Sequence, residues 1–411
     1  MPPIETSLFA FATDLRDEGT ETVLDNVAER AGVGGITLAA AYHHGRDIFP
    51  HNPARKVHFL EGGSVFFQPD QVRYSGLRLQ PVVSRLAAEW DALREVCEAS
   101  ARRSLRVRAW TVFLHNYALG EAHPDCTCRN AFGDPHLTDL CPANPHVRAY
   151  VRALTADIAA KGVASVVAES LHYHGLEHGF HHERYFIDLG PLGRYLLGLC
   201  FCDHCLAVAR THGVDGVRVR DAARTELERR FASEPRAEPA ELVRKQVGAF
   251  AGGELAGYLE ARAAVVASLA GEAAAAARQN GADFTFIDLS GAVKGYATGR
   301  PVGDAAPSIA WQFGIDVAAV ARECQVEAIA YAAEPDRLRL DLSAYRSLVG
   351  EGRLSVILRP MAPDCDSPEN LVSKLEVARD AGIVEAGFYH YGFMRLESLD
   401  LIKRALTKAA V

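Results

Sequence analysis

Short apolar stretches with the character of β-strands alternate with segments of helical periodicity along this chain of 411 residues. Several of these stretches are apolar at nearly every position, which is typical of strands covered on both faces. The eight predicted strands are Leu8–Asp14, Gly35–Tyr42, Leu105–Leu114, Val163–Glu169, Phe284–Leu289, Val326–Ala333, Leu354–Arg359 and Glu385–Tyr391.

The segments between these strands carry helix signals. Val82–Arg103 has apolar residues at three- and four-residue spacing, and Thr20–Ala31 lies between two glycines. Ser367 and Pro368 are residue types of an N-cap and a first helical position, and Leu396–Lys408 is the last predicted helix. Eight alternations of strand and helix predict an α/β fold, a (β/α)8 TIM barrel. A doubly wound sheet is disfavoured because no glycine-rich phosphate turn follows the first strand.

Loop lengths indicate which end of the barrel is functional. The segments after strands two, three and four are long, at residues 43–81, 115–145 and about 170–253. Active sites of such barrels lie at the carboxyl ends of the strands, so we expect the site there. We predict one barrel domain over residues 1–411, with a helical insertion at 206–251 between strands four and five.

Polar residues gather where the predicted strands end. Glu169 directly follows an apolar run, where burial raises the pKa of a carboxyl group toward that of a general acid/base. Asp288 and Glu334 are the candidates for a second carboxylate, with Asp364 behind them. The other polar residues at these ends are Asp14, His43, His44, Arg46, His115, Asn116, His172, His174, Asp336, Arg359 and His390.

The histidines after strand four permit two interpretations. His172, His174, His178, His181 and His182 are ligands for a catalytic metal, or they are hydrogen-bonding groups for sugar hydroxyls. The spacing H-E-x-x-H does not occur, which favours substrate contacts. The predicted substrate-binding set is His43, His44, Arg46, His115, Asn116, His172, His174, Arg359 and His390.

Cysteines give the most specific motif. Cys200, Cys202 and Cys205 supply three thiolates within one tight turn, and tetrahedral zinc requires a fourth ligand. Cys141 is the favoured fourth ligand, because its loop follows strand three and is the spatial neighbour of the loop after strand four. Cys126 and Cys128 are alternatives. We therefore predict a structural zinc.

Composition excludes several classes of function. The net charge is -8, so no basic field exists for nucleic acid. We recognise neither a signal peptide nor a stretch long and apolar enough to span a bilayer, so we expect a soluble, cytoplasmic protein without membrane partners. Nine cysteines are an odd number for a disulfide framework, and metal binding in a reducing compartment is favoured. Whether copies associate into a homo-oligomer stays open.

The segment from Leu140 to Leu206 resembles the zinc-bearing beta-galactosidases of glycoside hydrolase family forty-two. The resemblance rests on Cys141 in a C-P-x-x-P setting, a glutamate at the end of strand four and the C-x-C-x-x-C motif. It implies that Glu169 is the acid/base, and that Cys141 and the three motif cysteines bind structural zinc. The chain departs from the family at Ala168, where the family has asparagine. It also has no glutamate at the end of strand seven, where the family has its nucleophile.

These observations predict a barrel-only glycoside hydrolase-like enzyme that acts on a small-molecule carbohydrate. Two alternatives come from different classes. One is a metal-dependent barrel isomerase or lyase acting on a sugar-like substrate, in which the histidines and acids bind a second metal. The other is a non-catalytic carbohydrate-binding pseudoenzyme, which the missing strand-seven glutamate favours.

Overall fold

Eight parallel strands close into a barrel in a computed structural model that describes residues 3–176, 183–233, 238–239 and 241–409. Each strand pairs with its neighbours in chain order, and the first strand pairs with both the second and the last. The strands are β1 Glu5–Ala10, β2 Gly35–Tyr42, β3 Arg106–Val112, β4 Ser165–Glu169, β5 Asp283–Asp288, β6 Gln325–Ile329, β7 Leu354–Leu358 and β8 Glu385–Phe388. The predicted (β/α)8 barrel is confirmed.

The first strand ends earlier than its apolar pattern predicts. It stops at Ala10, and helix α1 (Ala12–Glu18) begins two residues later. Asp14 therefore lies in the first helical turn, where its Oδ2 accepts a hydrogen bond from the backbone N–H of Phe11 at 2.8 Å. Burial raises the pKa of Asp14 to about 8. This acid stabilises the start of a helix rather than ending a strand.

Helices surround the barrel and also fill the long connection after β4. They are α1 Ala12–Glu18, α2 Thr20–Asp25, α3 Arg85–Glu89, α4 Ala92–Ala101, α5 Tyr117–Ala122, α6 Pro145–Ala159, α7 Gly190–Leu197, α8 Asp203–Thr211, α9 Gly216–Ala232, α10 Arg244–Gly248, α11 Glu254–Gln279, α12 Ser290–Gly295, α13 Val317–Glu323, α14 Pro335–Val349, α15 Pro368–Asp380 and α16 Leu396–Ala409. Short 3-10 turns occur at Gln71–Tyr74, Pro124–Cys126, Phe250–Gly253, Ala306–Phe313 and Tyr391–Phe393. Within the described ranges, no helix is both long and apolar enough to cross a membrane.

Two predicted helices are interrupted. The segment Val82–Arg103 divides into α3 and α4, because Trp90 takes an extended conformation and Asp91 caps the second helix through a bond to the N–H of Arg94. The segment that begins at Thr20 continues as a π-helical turn, Asn26–Arg30. Local capping side chains and packing outweigh the apolar periodicity at these points. The predicted N-cap Ser367 is confirmed by its bond to the N–H of Asn370.

The loops at the carboxyl ends of the strands carry additional structure. After β2 a hairpin pairs Gly45–Ile48 with Val57–Leu60, and short strands follow at Ser64–Val65 and Val82–Val83. After β3 a second hairpin pairs Thr127–Arg129 with Pro135–Leu140. After β4 the helices α7 to α10 precede α11, and they bury an apolar cluster of their own with it. Among the described residues of this connection, the first helix begins at Gly190, earlier than the predicted insertion.

Candidate functional site

Strand register determines which side chains enter the barrel. Alternate residues point inward, and paired residues on neighbouring parallel strands point to the same face. Trp110, for example, pairs with Val167, and Glu169 pairs with Val112. The eight residues turned inward at the carboxyl ends are Phe11, Tyr42, Val112, Glu169, Leu289, Tyr331, Arg359 and Tyr389. Glu169 is the one carboxylate of this inward ring.

Glu169 lies in an aromatic surrounding. Its Oε2 accepts a hydrogen bond of 2.6 Å from the indole Nε1 of Trp110. Burial raises the pKa of the Glu169 carboxyl to about 7, although the Trp110 bond and the charge of His115 oppose the shift. In turn, its negative charge helps to raise the pKa of Tyr42 and Tyr389, after burial as the main cause. Such a group exchanges a proton readily near neutral pH.

The tyrosines of the inward ring lie close to one another. Tyr42 packs edge-on against Trp110, with ring centroids 4.6 Å apart, and its hydroxyl is hydrogen-bonded to that of Tyr389. Tyr331 lies 6.0 Å from Tyr389. These rings provide flat faces and hydroxyl groups around one carboxyl group, which is a combination suited to binding a sugar ring.

Arg359 takes the inward position at the end of β7. Its guanidinium binds the carboxylate of Asp364 through two bonds, from Nε at 3.0 Å and Nη2 at 2.7 Å. It also stacks over Tyr331 at 4.5 Å and donates to the backbone carbonyl of Tyr296. Asp364 thus neutralises and orients the arginine, which in turn supports Tyr331.

Four histidines form a row beside Glu169. Ring centroids are 5.2 Å apart for His43 and His115, 5.5 Å for His115 and His174, and 4.8 Å for His172 and His174. Burial lowers the pKa of His43 and of His172 to about 3, so both rings are neutral. We call these four histidines, His43, His115, His174 and His172, the imidazole row. His178, His181 and His182 lie outside the described residues.

Asp139 anchors the imidazole row. Its Oδ1 lies 3.4 Å from Nδ1 of His115 and 3.2 Å from Nδ1 of His174. Burial alone would raise the pKa of Asp139, but the charge of His174 and hydrogen bonds from both rings lower it well below the usual range. The carboxylate orients the two rings, as carboxylates commonly do for functional histidines.

Two predicted carboxylates are not in the inward ring. Asp288 pairs with Ala328 and points outward, where its oxygens accept bonds from Ser290 and, at 2.8 Å, from the hydroxyl of Tyr345 on α14. Glu334 is exposed at the N-cap of α14. The structure therefore does not bring either acid to Glu169. The alternation of side chains along each strand is the sequence signal that could have distinguished the outward-facing Asp288 from the inward-facing Glu169.

Other predicted residues are not members of the inward ring, although His390 packs against it. Arg46 is exposed on the outer face of the first hairpin, opposite Phe59. Asn116 caps α5 through the N–H of Leu119 and donates to the carbonyl of Gly63, so its amide is occupied. His390 is fully buried, with its ring 4.2 Å from Phe11. His44 is partly exposed and lies against Gly62 at the base of the hairpin.

Five residues of this site escaped the sequence interpretation: Trp110, Tyr42, Tyr331, Tyr389 and Asp139. The first four lie inside or at the end of predicted strands, where their apolar character assigned them to the core. Side chains alternate between the two faces of a strand. If Arg108 had been taken to face the barrel interior, Trp110 would have been predicted to face inward as well. Asp139 gives no such signal, because a hairpin places it.

Cys141, Cys200, Cys202 and Cys205 converge on one buried point. Their sulfur atoms all lie within 4.8 Å of one another. Cys141 Sγ is 3.5 Å from the sulfurs of Cys202 and Cys205 and 3.9 Å from that of Cys200. Zn–S bonds of about 2.3 Å in a tetrahedron separate sulfurs by about 3.8 Å. This four-cysteine cluster therefore has the size and chemistry of a metal site.

Neighbouring groups form hydrogen bonds to the sulfur atoms of the four-cysteine cluster. The N–H of Arg129 donates to Cys200 Sγ at 3.4 Å, and the hydroxyl of Tyr173 lies 3.3 Å from Cys205 Sγ. Cys128 is also hydrogen-bonded to Cys141 and Cys200 but lies outside the group of four. Cys126 instead interacts with Arg78. Among the described side chains, these four cysteines are the group close enough to share one metal, whereas the imidazole row is not.

Comparisons with known proteins show the fold. No protein-family model matches the chain, and no curated protein matches it either. Solved structures with a similar fold include a beta-galactosidase from the psychrophilic Marinomonas ef1, with a TM-score of 0.57 and 12% identity over 99% of this chain and 59% of that one. The catalytic domain of beta-amylase from Paenibacillus polymyxa has a TM-score of 0.55 and 11% identity over 98% of both chains.

A beta-galactosidase from Rahnella sp. R3 is similar as well, with a TM-score of 0.53 and 11% identity over 100% of this chain and 57% of that one. The chain thus spans less than two thirds of the length of either galactosidase. These likenesses establish a barrel of the kind found in these proteins.

Proposed function

We propose that the chain is a glycoside hydrolase in which Glu169 is the general acid/base. One observation carries the proposal: Glu169 is the single carboxylate of the inward ring, and its pKa is raised to about 7 by burial. The barrel it shares with two beta-galactosidases and a beta-amylase supports the same reading.

Glu169 supplies the proton in the proposed reaction. The carboxylic acid donates its proton to the glycosidic oxygen as the bond to the anomeric carbon breaks, and the leaving group departs as a neutral alcohol. The Trp110 N–H stabilises the carboxylate that this step produces. Water then attacks the anomeric carbon, and the same carboxylate accepts the proton that this water loses, so that Glu169 regains its acid form and the sugar is released with a new hydroxyl group.

Aromatic and imidazole groups hold the sugar in this proposal. Tyr389, which is partly exposed, provides a face on which a pyranose ring packs, and the buried rings of Trp110 and Tyr42 support it from behind. The neutral imidazoles of His43 and His172 hydrogen-bond to hydroxyl groups, because a neutral ring keeps one nitrogen that accepts. Asp288 and Glu334 have no part in it, because neither faces the ring.

The test is turnover of a broad panel of nitrophenyl glycosides by the full chain, together with a Glu169→Gln variant. We expect at least one glycoside to be hydrolysed and the variant to lose most of that activity. Glu351→Gln is the matched control, since Glu351 is exposed in the turn before β7 at the opposite end of the barrel. Equal turnover by the Glu169 variant and the wild type would sink the proposal.

We further propose that the four-cysteine cluster holds structural zinc. Cys141 lies in the connection after β3 and the other three in the connection after β4, so the ion would join two long segments without touching substrate. We expect one zinc per chain by mass spectrometry. Cys141→Ser should lose the zinc and lower the melting temperature, whereas Cys128→Ser should retain it. Zinc retained by the first variant and lost by the second would assign the fourth ligand to Cys128.

One observation favours a second candidate, a carbohydrate-binding protein without turnover. Arg359 takes the inward position at the end of β7, so the ring offers one carboxylate instead of two. Tight binding of a sugar without hydrolysis of any glycoside in the same panel would support this candidate against the first.

A further inference from the structure

A large pocket opens next to the inward ring. Its volume is about 650 Å³, which is within the range of small-molecule sites. Helix α7 and the segment near Leu242 form one wall, and α12 with Phe313 forms the other. We call it the insertion pocket. None of the residues proposed for proton transfer lines it.

The insertion pocket is mainly apolar. Leu242, Leu289, Val293 and Phe313 line it, and the side chains of Val293 and Tyr296 on and beside α12 are 60% and 61% exposed. Large apolar side chains that remain exposed around a concavity commonly mark a ligand site.

Charged groups at the insertion pocket already have partners. Lys294 donates to the carbonyls of Val302 and Asp304 and lies 3.4 Å from Glu241. Asp188 accepts a hydrogen bond of 2.8 Å from the N–H of Gly190. With Arg194, the lining has two cations and two anions and therefore no net charge, so the pocket favours a neutral ligand over an ionic one.

One buried polar atom in the wall has no protein partner. His172 is 1% exposed, its Nδ1 donates to the carbonyl of Tyr173 at 2.7 Å, and its Nε2 is unbonded. Because Nδ1 carries the proton, Nε2 is an acceptor. An unsatisfied buried acceptor is costly, and a ligand hydroxyl would satisfy it.

The insertion pocket borders the inward ring, because Leu289 belongs to both. Tyr296 lines it and has its ring 6.2 Å from that of Tyr331 in the inward ring. His172 and His174 also line it and follow Glu169 by three and five residues. A glycoside whose sugar occupies the ring can therefore extend its other half into this pocket.

Resting on the proposed function, we infer that the insertion pocket binds the leaving group, and that the physiological substrate carries a neutral, largely apolar aglycone such as an aryl group. Its apolar walls bind the aglycone by burial, and His172 Nε2 accepts from a hydroxyl of the substrate. Binding energy from this remote part then positions the glycosidic bond at Glu169.

The first measurement needs no turnover. The probe is 4-methylumbelliferone, a neutral aromatic alcohol, titrated into the full chain by calorimetry at a pH where its hydroxyl is protonated. Val293→Arg places a long cation in the pocket and should weaken binding about tenfold or more. Val72→Arg is the matched control, because Val72 is 81% exposed and its neighbour Arg73 contacts Asn280, before β5 at the other end of the barrel. Equal affinity of both variants, or no binding by the wild type, overturns the inference.

The second measurement uses hydrolysis. For the sugar that the panel identifies, Val293→Arg should raise KM about tenfold for the methylumbelliferyl glycoside and leave KM for the methyl glycoside unchanged. A parallel rise for both substrates overturns the inference. Loss of the proposed function looks different: the wild type then hydrolyses neither glycoside, while the probe still binds in a Val293-dependent manner.

Discussion

Two glutamates inside the same barrel have opposite surroundings. Glu327 lies on β6, deep in the interior, where Arg108 binds both of its oxygens at 3.1 and 3.2 Å. The same guanidinium also lies 3.2 Å from Glu385. Glu169 lies at the mouth, where the bond that it accepts comes from a neutral indole. The carboxylate in the interior is therefore bound by a cation, whereas the carboxyl group at the mouth is bound by a neutral donor.

This difference makes Glu327 a residue of structural importance and Glu169 a residue suited to proton transfer. Burial raises the pKa of Glu327 as well, but the charge of Arg108 opposes that shift, and removing either partner would leave a buried charge without compensation. The neighbour of Glu169 is instead the neutral indole of Trp110, and burial raises the pKa of Glu169 to about 7, so that this carboxyl group exchanges a proton near neutral pH. Two acids of one type in one barrel thus have different roles, and the neighbouring side chain decides which.

The largest effect should come from removing the Glu169 carboxyl. Glu169→Gln should lower kcat/KM about 10³-fold for an alkyl glycoside, since a poor leaving group needs a proton. For a nitrophenyl glycoside the loss should be smaller but still large, because this leaving group needs little help from a proton whereas the attacking water still needs Glu169 as its base. Steady-state kinetics on both substrates measure the contrast. Equal losses for the two would remove the acid role from Glu169.

Removing the cation from the other end should affect stability instead. Arg108→Met leaves two buried carboxylates without their partner, and we expect a loss of about 3–5 kcal/mol in the free energy of unfolding. Arg106→Met is the control on the same strand, since the Arg106–Glu5 pair is largely exposed and is worth under about 1 kcal/mol. Urea denaturation followed by circular dichroism compares them. A similar loss in both variants would contradict the comparison.

Glu169 should also reduce stability above neutral pH. Its folded-state pKa is about 7 and its ordinary value 4.5, so its contribution is fully present below pH 4.5 and is lost as pH rises through 7. Glu169→Gln does not ionise, and it should be more stable than the wild type by about 3 kcal/mol above pH 7. Denaturation at low and high pH measures this. A variant less stable than the wild type above neutral pH would show that the carboxylate is well solvated.

The smallest effect concerns the indole. Trp110→Phe removes the donor that favours the charged form of Glu169, so the pKa of Glu169 should rise further. The basic limb of the kcat/KM profile should move to higher pH by about one unit. Tyr331→Phe is the control, since it keeps the ring and leaves the Trp110 bond intact. An unchanged limb in Trp110→Phe would mean that Glu169 does not titrate in this profile.

The barrel and two parts of the candidate site follow from local sequence. Buried parallel strands are apolar nearly throughout, so the eight strands are visible as runs, and Gly35–Tyr42 matches its prediction at both ends. The C-x-C-x-x-C motif places three thiols in one turn. Glu169 is recognisable because it ends an apolar run. The fourth cysteine required only the rule that neighbouring strands have neighbouring loops.

The chain itself therefore determined the number of strands, the strand end that carries Glu169 and the three clustered thiols, because short-range spacing encodes each of them. Tertiary structure alone decided which polar residues meet. The phase of strand alternation turns Asp288 toward Tyr345 on α14 and Glu169 toward Trp110 on β3. A hairpin brings Asp139 to His115 and His174. These contacts join residues distant in sequence, and no local pattern records which way each side chain points once the barrel closes.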